Sequence, residues 1–92
     1  MNLDLNKKKV VVLGASKGIG YSVAEHFLQE GSSVCLVSRN IKNLSLAKKK
    51  LTKKFQQKKI SIFKCDCSIL NDLDNLVKYI KVTYSKIDIL IC

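Results

Sequence analysis

Seven residues, Gly14-Ala15-Ser16-Lys17-Gly18-Ile19-Gly20, constrain this chain more than any others, because they place three glycines between segments of opposite periodicity. Before them, Val10-Val11-Val12-Leu13 is an unbroken apolar run with no polar alternation, the pattern of a strand buried on both faces. After them, Ile19, Val23 and Phe27, with Ala24 and Leu28 beside them, recur at helical spacing as far as Gly31, which is placed to close the helix. On this reading His26 faces away from the apolar stripe and is an exposed helix residue.

The same alternation continues to the end. Val34-Cys35-Leu36-Val37 reads as a second strand, and Leu44, Ala47, Leu51 and Phe55 as the inward face of a second helix whose other faces are lysine and glutamine. Ile60 to Cys65 is a third strand, Leu73, Leu76, Val77, Ile80 and Tyr84 mark a third helix, and Ile87 to Ile91 a fourth strand. Strands alternating with helices imply right-handed crossovers. The predicted fold is therefore α/β, an incomplete Rossmann-type doubly wound parallel sheet of four strands and three helices in the order 3-2-1-4, with residues 1–92 as the N-terminal portion of one domain.

Composition narrows the function. The chain is 47% hydrophobic and 26% charged, a soluble globular balance. No apolar run approaches the length of a membrane span, and Met1-Asn2-Leu3-Asp4 opens no signal core, so the expectation is a cytoplasmic protein with no membrane partner. Cys35 lies within a strand, and Cys65-Asp66-Cys67 has no second ligand pair, so free thiols are expected rather than a metal site. The net charge of +10 comes largely from Lys48-Lys49-Lys50 with Lys53-Lys54, and from Lys58-Lys59. Their position on the outer face and end of one helix reads as solvated surface rather than a nucleic-acid site, with polyanion binding as the alternative.

The glycine turn carries the chemistry. Gly14 can adopt backbone angles that a side chain forbids, and Gly18 and Gly20 leave room for a phosphate or ribose. The helix beginning there offers unpaired N–H groups to an anion, with Ser16 as a hydroxyl donor. At the end of the second strand a carboxylate would accept hydrogen bonds from an unmodified ribose. This chain has Ser38-Arg39-Asn40 there instead, where a guanidinium and a hydroxyl suit a 2′-phosphate, and Lys17 adds charge on the same side. The expected cofactor is NADP rather than NAD.

Gly14-x-x-x-Gly18-Ile19-Gly20 resembles the glycine motif of the short-chain dehydrogenase/reductases. The likeness extends over nearly the whole chain, through Leu3-Asp4-Leu5, Ser38-Arg39-Asn40, Cys65-Asp66-Cys67-Ser68 and Lys86-Ile87-Asp88-Ile89-Leu90. It is nearest the 3-oxoacyl-acyl-carrier-protein reductase branch. The resemblance implies an NADP-dependent oxidoreductase of a ketone or alcohol, with Asp66 and Cys67 as adenine contacts, Asp88 in a structural role, and homo-oligomers as the usual state of complete members. Leu13 stands where the family usually has threonine, which removes a hydroxyl that would steady the turn.

The family's reaction uses a serine and a Tyr-x-x-x-Lys. Here Tyr21 is followed four residues on by Glu25, Tyr79 by Thr83 and Tyr84 by Asp88, so no residue is assigned a catalytic role. The expectation is the cofactor-binding segment of a reductase, truncated before its catalytic groups, with a free-standing nucleotide-binding module as the alternative. A half-sheet ending at Ile87 to Ile91 exposes an apolar edge, which predicts poor folding in isolation and self-association.

Overall fold

The computed structural model describes residues 8–14 and 18–91. The elements run β1 (Lys9–Leu13), α1 (Gly18–Gln29), β2 (Ser33–Ser38), α2 (Ile41–Leu51), a 3₁₀ turn (Gln57–Lys59), β3 (Ile60–Lys64), α3 (Leu70–Tyr84) and β4 (Ile89–Ile91). All strand pairs are parallel, and the sheet order is β3-β2-β1-β4. This is the Rossmann-type arrangement read from the sequence.

The pleat divides each strand between two cores. Val10, Val12, Val34 and Leu36 face α1 and α2, where they meet Ala24, Leu28, Leu44 and Leu51. Val11, Cys35 and Val37 face α3 and pack with Cys65 and Leu76. Val10, Val11 and Val12 are each 1% exposed or less, which is why the sequence shows a continuous valine run there and no alternation. Each fully buried side chain of this size contributes about 1.5–3 kcal/mol of transfer free energy.

Helix ends follow from particular residues. Gly31 has φ +95 and donates to the Leu28 carbonyl at 3.0 Å, while Ser32 N–H reaches back to Phe27 O at 3.0 Å. That pair of bonds is a Schellman motif, and the left-handed position favours glycine. The Lys59 ammonium donates to Gly31 O at 2.6 Å, placing a cation just past the helix end. Asn40 caps α2, its Oδ1 accepting from Asn43 N–H at 3.1 Å.

Two helical faces differ from the sequence reading. Ile19 is 84% exposed, whereas Ala24 and Leu28 are buried, with Tyr21 and Phe27 packed beside them. The inward face of α1 is therefore turned away from Ile19, and His26, although exposed, shares the outer face with Ile19 and Val23. In α3, Val77 is 49% exposed while Leu73, Leu76, Tyr79, Ile80 and Tyr84 face the sheet. Phe63 and Tyr79 pack with ring centroids 4.8 Å apart.

The fourth strand is shorter than the apolar run suggested. Asp88 is held outside it, accepting from Lys9 N–H at 2.9 Å and donating its own N–H to Lys9 O at 2.8 Å. The Lys9 ammonium meanwhile donates to Tyr84 O at 2.8 Å, so one residue of β1 ties both the end of α3 and the entry to β4. Under α3, the Tyr84 and Ser61 hydroxyls share a hydrogen bond. Burial pushes the Tyr84 phenol up to about 12 and raises the Cys35 thiol. No helix among the described residues is long and apolar enough to cross a membrane.

Candidate functional site

Strands of a parallel sheet all end at the same edge, and chain reversals after β1, β2 and β3 bring three separate segments together there. A depression of about 250 Å³ opens at that edge, lined by Gly14, Val37, Ser38, Arg39, Cys65, Asp66 and Cys67. Gly14 N–H donates to Val37 O at 2.7 Å and Cys65 N–H to Ser38 O at 2.9 Å, so the strand ends forming its floor are stitched to one another.

The glycine turn begins at Gly14, with φ +73, and α1 starts at Gly18, with φ +68. A Cβ built on either glycine meets nothing within 4 Å among the described residues. Glycine is favoured at both positions by backbone conformation, and the space above each is open. The first turn of α1 has N–H groups with no carbonyl partner inside the helix, and no acid within that turn competes for them. Ser16 and Lys17 lie outside the described residues.

On the β2 side, Arg39 is exposed and makes no hydrogen bond or ion pair among the described residues. Ser38 Oγ accepts from Asn40 N–H at 3.3 Å, which shapes the bend from β2 into α2. Asn40 spends its side-chain oxygen on the helix cap.

On the β3 side, Asp66 is held by its neighbours. Its Oδ1 accepts from Ser68 N–H at 3.0 Å and from Ser68 Oγ at 2.6 Å, and its own N–H donates to Asp72 Oδ2 at 2.9 Å. The Ser68 hydroxyl and then the Ser68 amide hold the Asp66 carboxyl below its ordinary value, with Arg39 adding to the effect. Burial, and then the neighbouring Cys67, push the Cys65 thiol up to about 11. Cys67 is exposed and Cys65 buried, both as free thiols.

Of the residues singled out in the sequence, Gly14, Ser38, Arg39, Asp66 and Cys67 therefore line one depression. Ile19 does not join them: with Gly18, Ser22, Val23 and His26 it lines a second, shallower depression of about 500 Å³ on the outer face of α1. Val37, Cys65, Ser68 and Asp72 were missed. Asp66-x-Ser68 is the spacing of a side-chain-closed turn, and Asp72 falls in the first turn of α3, so both could have been found as local turn and cap signals. No group of three or more His, Cys, Asp or Glu among the described residues could hold a metal ion.

Comparison with known proteins places the geometry in context. The family model described as short chain dehydrogenase matches residues 8–92. The chain is 28% identical over 89 residues to the WW domain-containing oxidoreductase of Homo sapiens, a match covering 97% of this chain and 22% of that protein. An NADPH-bound short chain oxidoreductase from Pseudomonas aeruginosa, described as containing an atypical catalytic center, superposes with a TM-score of 0.89 at 26% identity, covering 97% of this chain and 35% of the other. The L-sorbose reductase of Gluconobacter frateurii, complexed with NADPH and L-sorbose, gives a TM-score of 0.84 at 31% identity, covering 90% of this chain and 31% of that one. The chain spans about a quarter of the length of the curated relatives it matches.

Proposed function

The chain belongs to the short chain dehydrogenase family, and from that membership we propose that its carboxyl-edge depression holds the adenosine half of NADP(H), as part of an oxidoreductase acting on a ketone or alcohol. The observation that carries the reading is the exposed Arg39 guanidinium, which makes no ion pair among the described residues, beside Ser38 and with no carboxylate at the end of β2. A planar fork of donors suits a 2′-phosphate, and an acid in that place would repel it.

The other residues fit the remainder of the nucleotide. Asp66 has Oδ1 occupied by Ser68, which leaves Oδ2 to accept from the adenine amino group. Cys67 lines the same space. The open ground above Gly14 and Gly18 admits the pyrophosphate to the N–H groups of α1, with Ser16 and Lys17 adding a hydroxyl and an ammonium, and with Ile19 and Gly20 continuing toward the nicotinamide side. Ser38 and Asn40 shape the ribose end around Arg39. The bound nicotinamide supplies or accepts a hydride.

None of these residues donates a proton to substrate, so this reading places that group outside the 92 residues. A module that binds NADP(H) without turnover is the alternative reading and would use the same site. β4 bonds only to β1 among the described strands and leaves Leu90 54% exposed, which supports self-association along that edge.

Calorimetric titration with NADPH and NADH tests the cofactor reading. NADPH should bind about 10–100-fold tighter, the contribution of charge-assisted hydrogen bonds to one phosphate. Arg39→Asp should reverse the preference. Equal affinities in the unaltered protein would remove the 2′-phosphate from the site.

A further inference from the structure

All of the net positive charge of this chain resides in about a third of it. From Gly31 to Cys65 the sequence holds ten Lys or Arg and no acid, whereas the remaining seven cations are matched by seven acids. Those residues form β2, α2 and β3, so the fold gathers the cations on the outer face of α2 and at the β3 edge of the sheet.

Along α2, Lys42, Leu46 and Lys49 recur at i, i+4 and i+7, and Lys53 continues the line in the turn that follows. This ridge points directly away from the buried stripe of Leu44, Ala47 and Leu51. All four side chains are exposed, and Leu46 is 60% exposed. The only ion pair among the described residues joins Lys54 to Glu25 at 2.9 Å, so Lys42, Lys49 and Lys53 have no acidic partner. The first turn of α2, where the helix dipole favours acids, contains none. A merely solvated helix face ordinarily intersperses both signs.

Departing from the sequence expectation of no membrane partner, which rested on the absence of a spanning segment, we propose that the outer face of α2 is a docking surface for an anionic lipid bilayer, with the lysine ridge meeting acidic headgroups and Leu46 entering between them. Charge complementarity identifies the occupant as a polyanion, and the neutral residues on the face select among polyanions. Single-stranded nucleic acid is gripped by aromatic rings between the cations, whereas Phe55 and Tyr21, the latter 6.0 Å from the Lys50 ammonium, are packed against the core. The face instead carries an exposed leucine, Leu46, an aliphatic group set among ammonium groups as at membrane interfaces. The nucleotide depression opens at the strand ends and takes no lining residue from the body of α2, so docking leaves it accessible.

Cosedimentation of the whole protein with phosphatidylcholine vesicles, with and without phosphatidylserine, tests the proposal. Binding should require phosphatidylserine, fall steeply with added salt, and drop about a hundredfold when Lys42→Glu, Lys49→Glu and Lys53→Glu are combined. Leu46→Ser should weaken the binding that survives in salt. Combining Lys78→Glu, Lys81→Glu and Lys86→Glu changes the net charge equally on other elements and should leave most of the binding intact, with circular dichroism confirming that both variants fold. Equal binding to both vesicle types, unchanged binding by the α2 variant, or an equal loss in the second variant would overturn the proposal. Binding of single-stranded RNA without binding of vesicles would overturn it as well, and assign the ridge to nucleic acid.

Discussion

Replacing Gly14 by alanine separates what the fold requires of the glycine turn from what the cofactor requires. Gly14 sits at φ +73 with its N–H bonded to Val37 O at 2.7 Å, and an added Cβ meets nothing within 4 Å among the described residues. The cost in the free protein is therefore conformational, with no steric contribution. An L-residue in the left-handed region loses about 1–2 kcal/mol, and the stiffer unfolded chain offsets about 0.4–1 kcal/mol of that. A net loss of about 1 kcal/mol lowers Tm by roughly 4–8 °C in a domain of this size. Thermal melting followed by circular dichroism measures it. Gly14→Asn, whose side chain tolerates the left-handed region, should recover part of the loss. An unchanged Tm in Gly14→Ala would mean that the turn is not held at positive φ and would refute the reasoning. In the proposed complex the new methyl group stands in the space Gly14 opens to the phosphates, so NADPH affinity should fall further than a 1 kcal/mol loss of stability explains.

Two further outcomes follow from the core. Leu44 is fully buried between α2 and the sheet, and Leu44→Ala should cost about 2–5 kcal/mol, read as a lower urea midpoint at unchanged slope; a loss below about 1 kcal/mol would mean that the site collapses around the gap. Tyr84 is raised from 10.0 to about 12, so its protonated phenol favours the folded state, a contribution complete below pH 10 and lost as pH rises through about 12. The protein should therefore lose stability across that window, followed by tyrosinate absorbance and circular dichroism, and Tyr84→Phe should flatten the loss. An identical alkaline curve in the variant would contradict this assignment.

The strands and their order were legible because parallel strands buried on both faces leave unbroken runs such as Val10-Val11-Val12. The orientation of α1 was not. Ile19 and Val23 are apolar and invite an inward reading, but the sheet is met by Ala24 and Leu28, one position further round the helix, with Phe27 packed beside them. Gly14, Ser38, Arg39, Asp66 and Cys67 were named from segments far apart, and the sheet order brings them to one depression. Spacing could not tell which oxygen of Asp66 is occupied, because that depends on how the chain after β3 folds back through Ser68 and Asp72. Asp88 looked like part of a strand because it stands within an apolar run, but its carboxylate takes the Lys9 N–H that a further ladder bond would use.

The bonds between Lys9 and Asp88 also bear on the order in which the molecule assembles. Neighbours within β3-β2-β1 are joined by single helical crossovers, whereas Lys9 and Asp88 are 79 residues apart in the chain. Closing that longer loop costs more entropy, and the reward is a strand of only three residues. The first three strands and their two helices thus form a unit that can assemble while β4 is still free. Until β4 arrives, one side of the central strand β1 is itself an open edge, and Lys9 is the residue at which the late strand must engage to close it.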